Sequence, residues 1–132
     1  MCYKIVLADP VGTGLLLEQR FDYIFMTGRR STGLAVAAAA VRHLTPISLQ
    51  MGGKCPVYID QNVPIERVVK RLIVSKLNNA GQICLVPDYV LCTAKTRDLI
   101  VPLFDKYIRE MFGEQPQKSK DLGRIINKEN VK

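Results

Sequence analysis

Residues 79–89 read Asn-Ala-Gly-Gln-Ile-Cys-Leu-Val-Pro-Asp-Tyr and connect a helix-like run of sequence to a strand-like one. Cys84 follows closely on the Gly81-Gln82 corner, a position that presents a side chain at the end of an element. Amide N–H groups freed at such a corner can point toward the atom that a sulfur attacks, which is the geometry of an oxyanion site. Most cysteines are instead small buried apolar residues, and this alternative stays open for Cys84.

The segments on both sides of this corner show regular periodicity. Residues 64–77 predict a helix, because Pro64 fits a first turn and apolar residues recur at helical spacing. Residues 88–92 predict a strand. Residues 96–111 form the clearest amphipathic pattern in the chain, with Thr96 as a plausible N-cap and a proline, Pro102, near the first turn.

The earlier part of the chain alternates between the same two kinds of element. The run 3–7 predicts a buried strand, and residues 15–19 predict one or two helical turns. Further strands are predicted at 21–27, 45–51 and 57–59, and an alanine-rich helix at 34–42. Strands that alternate with helices indicate an α/β chain with a largely parallel sheet.

A glycine-bounded loop separates the second strand from the alanine-rich helix. Residues 28–33 read Gly-Arg-Arg-Ser-Thr-Gly, and a helix N-terminus that follows such a loop can bind an anion. The loop is not a P-loop, because Leu34 and Ala35 stand where Lys and Ser or Thr are required. A plain tight turn is an equal alternative for this segment.

Composition indicates a globular protein with room for one modest domain or parts of two larger ones. Of the 132 residues, 48% are hydrophobic and 23% are charged. Apolar runs such as 34–41 are too short to cross a bilayer, and the first residues do not resemble a signal peptide. We therefore expect a cytoplasmic protein without a membrane segment.

Cysteine spacing and charge narrow the classes of function. Cys2, Cys55, Cys84 and Cys92 lack paired metal-type spacing and the single histidine is His43, so we expect neither a metal site nor a disulfide framework. We expect Cys55 and Cys92 to be packed thiols and Cys2 an exposed one. The net charge of +7 suits anionic partners or a missing acidic remainder. The basic residues are dispersed, so specific nucleic-acid binding is not expected.

Two motifs in this order resemble the aldehyde dehydrogenase superfamily, and most closely its class 3 group, which includes the fatty aldehyde dehydrogenases. The motifs are Gln-Met-Gly-Gly-Lys at 50–54 and Asn-Ala-Gly-Gln-Ile-Cys at 79–84. The similarity runs from about Lys4 to Asn127. The chain therefore resembles a central fragment of an aldehyde dehydrogenase. Further matching segments are 21–24, 43–46, 87–89, 107–113 and 123–126.

The resemblance implies a fold and an activity. Residues 1–50 would form the second half of a Rossmann-like NAD(P)-binding domain, and residues 51–132 the beginning of an α/β catalytic domain, both incomplete. The activity would be oxidation of an aldehyde to a carboxylic acid with NAD or NADP, through a thiohemiacetal and a thioester on Cys84. Full-length members of the family would be homodimers, which is not expected of this fragment.

The resemblance also assigns cofactor contacts. The loop at 28–33 would face the cofactor pyrophosphate, and residues 49–51 would lie near the nicotinamide. The residues expected to bind cofactor are Thr27, Gly28, Arg29, Arg30, Ser31, Thr32, Gly33, Leu49, Met51 and Gly52.

Two departures from the family pattern bear on activity. Gln50 stands where the family's Leu-Glu-Leu-Gly-Gly-Lys motif has a general-base glutamate, and a primary amide cannot accept the proton. Deacylation is therefore expected to be slow or absent. Arg29 and Arg30 replace a usual Ser-Thr pair and would either bind cofactor phosphate or fill the groove. The alternative is a non-catalytic truncated remnant that binds nucleotide or a partner subunit.

Overall fold

The structure is a computed structural model that describes residues 3–131, so Cys2 lies outside the described residues. The chain divides into two compact units, Met1–Gly52 and Gly53–Lys132, called unit 1 and unit 2 below. Each unit contains two parallel strands and the helix between them, which confirms the predicted α/β class. The assignment of residues 1–50 to a cofactor domain and 51–132 to a catalytic domain stays a prediction.

Unit 1 is built on a single β-α-β crossover. Strands β1 (Ile24–Thr27) and β2 (Ile47–Gln50) pair in parallel, and helix α2 (Arg30–Val41) connects them. A shorter helix, α1 (Pro10–Leu17), precedes them and contains no buried residue. The buried residues of α2 are Gly33, Val36 and Ala40, none of which carries a side chain larger than that of valine.

The first residues of unit 1 correct two predictions. Residues 3–7 do not form the predicted strand, and Leu7 is 96% exposed, because no strand among the described residues pairs with them. Helix α1 begins at Pro10, five residues before the predicted helical turns. Its N-cap is Asp9, whose carboxylate accepts a hydrogen bond from the Gly12 N–H at 2.7 Å, and Pro10 suits the first helical position.

Unit 2 repeats the crossover and adds a second helix. Strands β3 (Cys55–Tyr58) and β4 (Pro87–Leu91) are parallel, and α3 (Ile65–Leu77) lies between them in the chain. Helix α4 (Ala94–Phe112) follows β4 and packs against α3. Short 3₁₀ helices cover Asn78–Gly81, Pro116–Lys118 and Lys128–Asn130.

The start of α4 also differs from its prediction. Its N-cap is Thr93, whose hydroxyl accepts a hydrogen bond from the Thr96 N–H at 3.2 Å. Thr96, predicted as the cap, is instead a buried residue of the first turn. The earlier start places Pro102 in the helix interior, where its missing N–H removes one backbone hydrogen bond.

The buried apolar core lies in unit 2. Its six side chains come from α3, from α4 and from the residue that follows β3, and Cys92 packs against them, as predicted for a packed thiol. Among residues 3–131, none of the helices combines the length and apolar character needed to span a bilayer. The six core residues are Ile59, Val69, Leu72, Ile73, Ile100 and Tyr107.

Candidate active site

Cys84 is half-buried in unit 2, on the segment between the 3₁₀ helix Asn78–Gly81 and β4. Its main chain is held by the segment that enters β3. The Cys55 thiol donates a hydrogen bond to the Cys84 carbonyl oxygen, with a sulfur–oxygen distance of 3.2 Å. A Cβ on Gly53 would lie 2.3 Å from the same carbonyl oxygen, so only glycine permits this approach.

The corner before Cys84 has an unusual backbone. Asn79, Ala80 and Gly81 all have positive φ angles, of 51°, 54° and 78°. Non-glycine residues rarely adopt this left-handed conformation, and surrounding contacts must hold them in it. The sequence predicted a Gly-Gln corner, but only the structure shows that two non-glycine residues share its conformation.

The side chain of Gln82 supplies those contacts. Its Nε2 donates to the Asn79 carbonyl at 2.9 Å and to the Arg124 carbonyl at 3.0 Å, while its Oε1 accepts from the Ile126 N–H at 3.0 Å. Sequence reasoning did not single out this side chain. Two of its partners lie 42 and 44 residues away, and no local pattern signals such contacts.

Other groups surround the corner. Lys54 forms an ion pair with Asp88 at 3.2 Å, which connects the segment before β3 to β4. Lys54 is 83% exposed, so this pair contributes little stability. A surface cavity of about 490 Å³ opens beside Gln82, lined by Asn79, Gln82, Arg124, Ile125, Ile126 and Asn130. Within the described part of the chain, no three His, Cys, Asp or Glu side chains cluster as metal ligands would.

In unit 1 the structure brings several predicted residues to the carboxyl ends of β1 and β2. Thr27 pairs with Gln50, and the Gly28 N–H donates to the Gln50 carbonyl at 3.0 Å. The Gln50 side chain is exposed and makes one long contact, from Nε2 to the Met51 carbonyl at 3.5 Å. The carboxyl edge of parallel strands is where α/β proteins commonly bind ligands.

The segment 28–33 is mostly helix and only partly loop. Arg29 is the N-cap residue of α2, its side chain makes no capping hydrogen bond, and residues 30–33 form the first turn. The predicted helix began later, at residue 34. This first turn contains no acidic residue, so its N-terminal N–H groups and the Arg29 and Arg30 cations favour an anion.

The remaining residues that were predicted to bind the cofactor differ in their solvent exposure. Ser31 and Thr32 are exposed on the first turn, whereas Gly33 is buried. A Cβ on Gly33 would lie 2.8 Å from the Met51 sulfur, so this glycine packs against a methionine. Leu49 is half-buried in β2, and Gly52 is exposed. The nucleophile candidate Cys84 belongs to unit 2 and these residues to unit 1.

Comparison with known proteins gives concordant results. The model of the aldehyde dehydrogenase family matches residues 4–132. Aldehyde dehydrogenase family 3 member B1 of Rattus norvegicus is 47% identical over 129 residues, which are 98% of this chain and 28% of that protein. The dimeric NADP-preferring aldehyde dehydrogenase of Canis lupus familiaris is 39% identical over 125 residues, 95% of this chain and 28% of that protein. The chain thus spans between a quarter and a third of the length of these relatives.

A solved structure supports the same assignment. The substrate-bound state of Staphylococcus aureus AldH superposes with a TM-score of 0.80 at 38% identity, covering 91% of this chain and 26% of that one. The α/β fold of the chain is therefore a portion of the aldehyde dehydrogenase fold, as the sequence predicted. Both the motifs at 50–54 and 79–84 and the match over residues 4–132 lead to one conclusion: the chain belongs to the aldehyde dehydrogenase family.

Proposed function

We propose that this chain carries the nucleophile and part of the cofactor surface for NAD(P)-dependent oxidation of an aldehyde to a carboxylic acid. The observation that supports it most strongly is the placement of Cys84. The thiol is half-buried, three residues after a left-handed corner, and its main chain is held through Gly53 and Cys55. A main chain held in this way can keep the Cys84 side chain in one orientation, as covalent catalysis requires.

The role of Cys84 follows from the chemistry of the thiolate. Its sulfur attacks the aldehyde carbon, which forms a carbon–sulfur bond and places negative charge on the former carbonyl oxygen. A nicotinamide bound near Leu49, Met51 and Gly52 would supply the acceptor for the hydride that leaves that carbon. Cys84 then holds the acyl group as a thioester until water attacks, the carbon–sulfur bond breaks and the carboxylic acid leaves.

The cofactor assignment rests on the first turn of α2. The uncapped N-terminus, the absence of acidic residues in that turn and the two adjacent arginines fit a pyrophosphate. Thr27, Gly28, Ser31 and Thr32 would line this end of the site, and Leu49, Met51 and Gly52 the nicotinamide end. The dog relative is described as NADP-preferring, and we propose NAD or NADP for this chain.

Gln50 limits the final step in this proposal. Water must lose a proton as it attacks the thioester, and the Gln50 amide has no basic atom at neutral pH. We propose that acylation of Cys84 proceeds and that release of the acid is slow. The exposed position of Gln50 at the end of β2 leaves room for a glutamate of the same length.

The same amide supports the second candidate function. A non-catalytic chain that binds nucleotide, or a partner subunit such as a second copy in a homodimer, has no need of a general base. The dog relative is described as dimeric, and this chain exposes large apolar side chains such as Tyr58, Tyr89 and Leu91. In this alternative Cys84 is a packed thiol.

A chimaera separates the two candidates. The 129 matching residues of the rat relative are exchanged for this chain, once with Gln50 retained and once with Gln50→Glu, and each version is also made with Cys84→Ser. Reduced cofactor is followed by absorbance with an aldehyde and NAD or NADP, and acyl adducts on Cys84 are sought by mass spectrometry.

The expected results differ sharply among the four proteins. The chimaera that retains Gln50 forms an adduct on Cys84 with about one equivalent of reduced cofactor, and the Gln50→Glu version turns over about 100 to 10,000 times faster. Both Cys84→Ser versions are inactive. Cofactor-dependent stabilisation against heat without any adduct, with Gln50 retained and with Gln50→Glu alike, would overturn catalysis and favour nucleotide binding.

A further inference from the structure

The donor and acceptor groups of the Gln82 side-chain amide all have hydrogen-bond partners within the fold. Both N–H donors are engaged, to the carbonyls of Asn79 and Arg124, and the oxygen accepts from the Ile126 N–H. These three contacts have distances between 2.9 and 3.0 Å, which is the usual range for hydrogen bonds of this type. One side chain therefore ties the left-handed corner to a segment more than 40 residues later.

The partner segment is itself well ordered by a neighbouring arginine. The Arg124 guanidinium donates to the carbonyls of Gln117 and Leu122, each at 2.6 Å, and to those of Ser119 and Gly123 at 3.3 and 3.1 Å. The Arg124 side chain thus bonds the segment 117–126 to itself, and Gln82 bonds to this same segment.

Contact between the two segments is close. A Cβ on Gly123 would lie 3.3 Å from the Ala80 nitrogen, so the loop main chain rests directly on the corner. Ala80 is one of the two non-glycine residues of the corner with positive φ. The loop therefore covers the strained part of the backbone while Gln82 holds it there.

Only Ile83 separates Gln82 from Cys84. The Gln82 N–H donates to the Asn79 carbonyl at 3.1 Å, and the Val86 N–H donates to the Ile83 carbonyl at 3.3 Å, so Cys84 is the second residue of a turn that directly follows the turn closed by Gln82. The Gln82 side chain donates to the same Asn79 carbonyl at 2.9 Å, so its amide and its main chain close the first turn together.

We propose that Gln82 is the positioning residue for Cys84, and that it acts by fastening the corner 79–81 to the loop 117–126. The proposal rests on the proposed function in one respect, since it treats Cys84 as the residue to be positioned. Gln82 itself does not touch the reacting atoms.

The test measures how fast each thiol of this chain reacts with iodoacetamide, using mass spectrometry to resolve Cys84, Cys55 and Cys92. All three are free and half-buried. Cys92 serves as the internal reference because it packs against the core, whereas the Cys55 thiol bonds to the Cys84 carbonyl and would respond with it. Gln82→Met removes all three hydrogen bonds at similar size, and Gln82→Glu retains only the acceptor for Ile126. Gln61→Met is the matched control at an exposed glutamine of the same unit.

A second variant addresses the partner loop. Ile126→Pro removes the N–H that donates to Gln82 and substitutes no residue of the corner 79–81. If Gln82 acts through the loop, Ile126→Pro shifts Cys84 reactivity in the same direction as Gln82→Met. Adding Ile126→Pro to Gln82→Met then gives no further change, because the shared contact is already lost.

The expected result is selective. Cys84 reacts about tenfold faster in Gln82→Met, since the loss of three hydrogen bonds opens the corner, while Cys92 keeps its rate. Gln82→Glu gives a smaller increase and Gln61→Met none. An unchanged Cys84 rate in a folded Gln82→Met protein overturns the proposal. Equal acceleration of Cys84 and Cys92 also overturns it, because Gln82 would then serve general stability.

Alkylation does not depend on aldehyde turnover. If the chimaera shows no catalysis and Cys84 alkylation still responds selectively to Gln82, the positioning role stands and the proposed function fails. If catalysis is found and alkylation is insensitive to Gln82, the positioning role fails alone.

Discussion

Unit 1 and unit 2 contain the same β-α-β crossover. They differ in how completely helices shield its apolar side chains from solvent. In unit 2, α3 and α4 together close a core with Val69, Ile73 and Tyr107 at 1% exposure or less. In unit 1, α2 covers its strands with Gly33, Val36 and Ala40, which are small. Phe25 of β1 remains 70% exposed.

This difference in burial indicates which unit is stabilised by its own apolar core. Hydrophobic burial is the main favourable term in folding, and it grows with the size of the side chains removed from water. Unit 2 buries large side chains from α3, α4 and the residue after β3, whereas the buried apolar side chains of the described part of unit 1 are Val36 and Ala40. We expect unit 2 to dominate cooperative unfolding and unit 1 to depend on further contacts.

The largest effect is expected from a cavity in the core of unit 2. Ile73→Ala should lower the free energy of unfolding by about 2–5 kcal/mol, because a fully buried side chain is truncated. Val74→Ala is the matched control, since Val74 is 57% exposed on the same helix. Urea denaturation followed by circular dichroism measures both. Equal losses at the two positions would contradict a closed core in unit 2.

A smaller effect is expected where unit 2 begins. Gly53→Ala places a Cβ 2.3 Å from the Cys84 carbonyl oxygen and 2.9 Å from the Cys55 sulfur, so the main chain must move. We expect a loss of about 1–3 kcal/mol. At Gly52, no heavy atom of the described chain outside the adjacent residues lies within 4 Å of an added Cβ.

The neighbouring glycine is therefore the control for that substitution. Gly52→Ala should leave stability unchanged or raise it by about 0.4–1 kcal/mol, through the reduced entropy of the unfolded chain. Thermal melts of the two single variants distinguish the positions. If both variants melt alike, close packing of Gly53 on the Cys84 main chain is refuted.

The smallest effect at neutral pH concerns Tyr107. Burial raises the pKa of Tyr107 above its usual value of 10.0, and the Glu66 carboxylate, which also accepts its hydrogen bond, raises it further. A raised folded-state pKa means that the protonated tyrosine favours folding. This contribution is present below the unfolded pKa and is lost as pH rises through the folded one.

Melting temperatures across the alkaline range check this prediction. Wild-type protein should lose stability as pH rises past 10, and Tyr107→Phe should lose less because it has no proton to release. Tyr3→Phe is the control, since Tyr3 is 80% exposed in unit 1. Identical alkaline slopes for wild type and Tyr107→Phe would show that the core of unit 2 does not depend on this hydroxyl.

Predictions from the sequence succeeded where a pattern is local. Helical spacing located α3 and α4 to within a few residues at each end, and the strands of both crossovers were found because apolar β-branched runs end at glycine or polar residues. The run 3–7 met the same criteria and is not a strand. A strand needs a partner, and the pattern within five residues contains no information about one.

For the candidate site, too, some features could be predicted from local sequence and others could not. Family motifs in the sequence located Cys84, Gln50 and the glycine segment 28–33, since residue type and spacing are enough to recognise them. The structure alone showed that residues 30–33 are a helical turn, because the first turn of α2 is decided by its cap and packing.

Sequence by itself determined the order of the elements from β1 onward and the α/β class, because each depends on neighbouring residues, and its family motifs indicated the candidate nucleophile. Tertiary structure decided the left-handed backbone at Asn79 and Ala80, the Gln82 contacts and the Gly53 approach to Cys84. Those features join segments that are distant in the chain. Their free energy arises only when folding has brought both partners together.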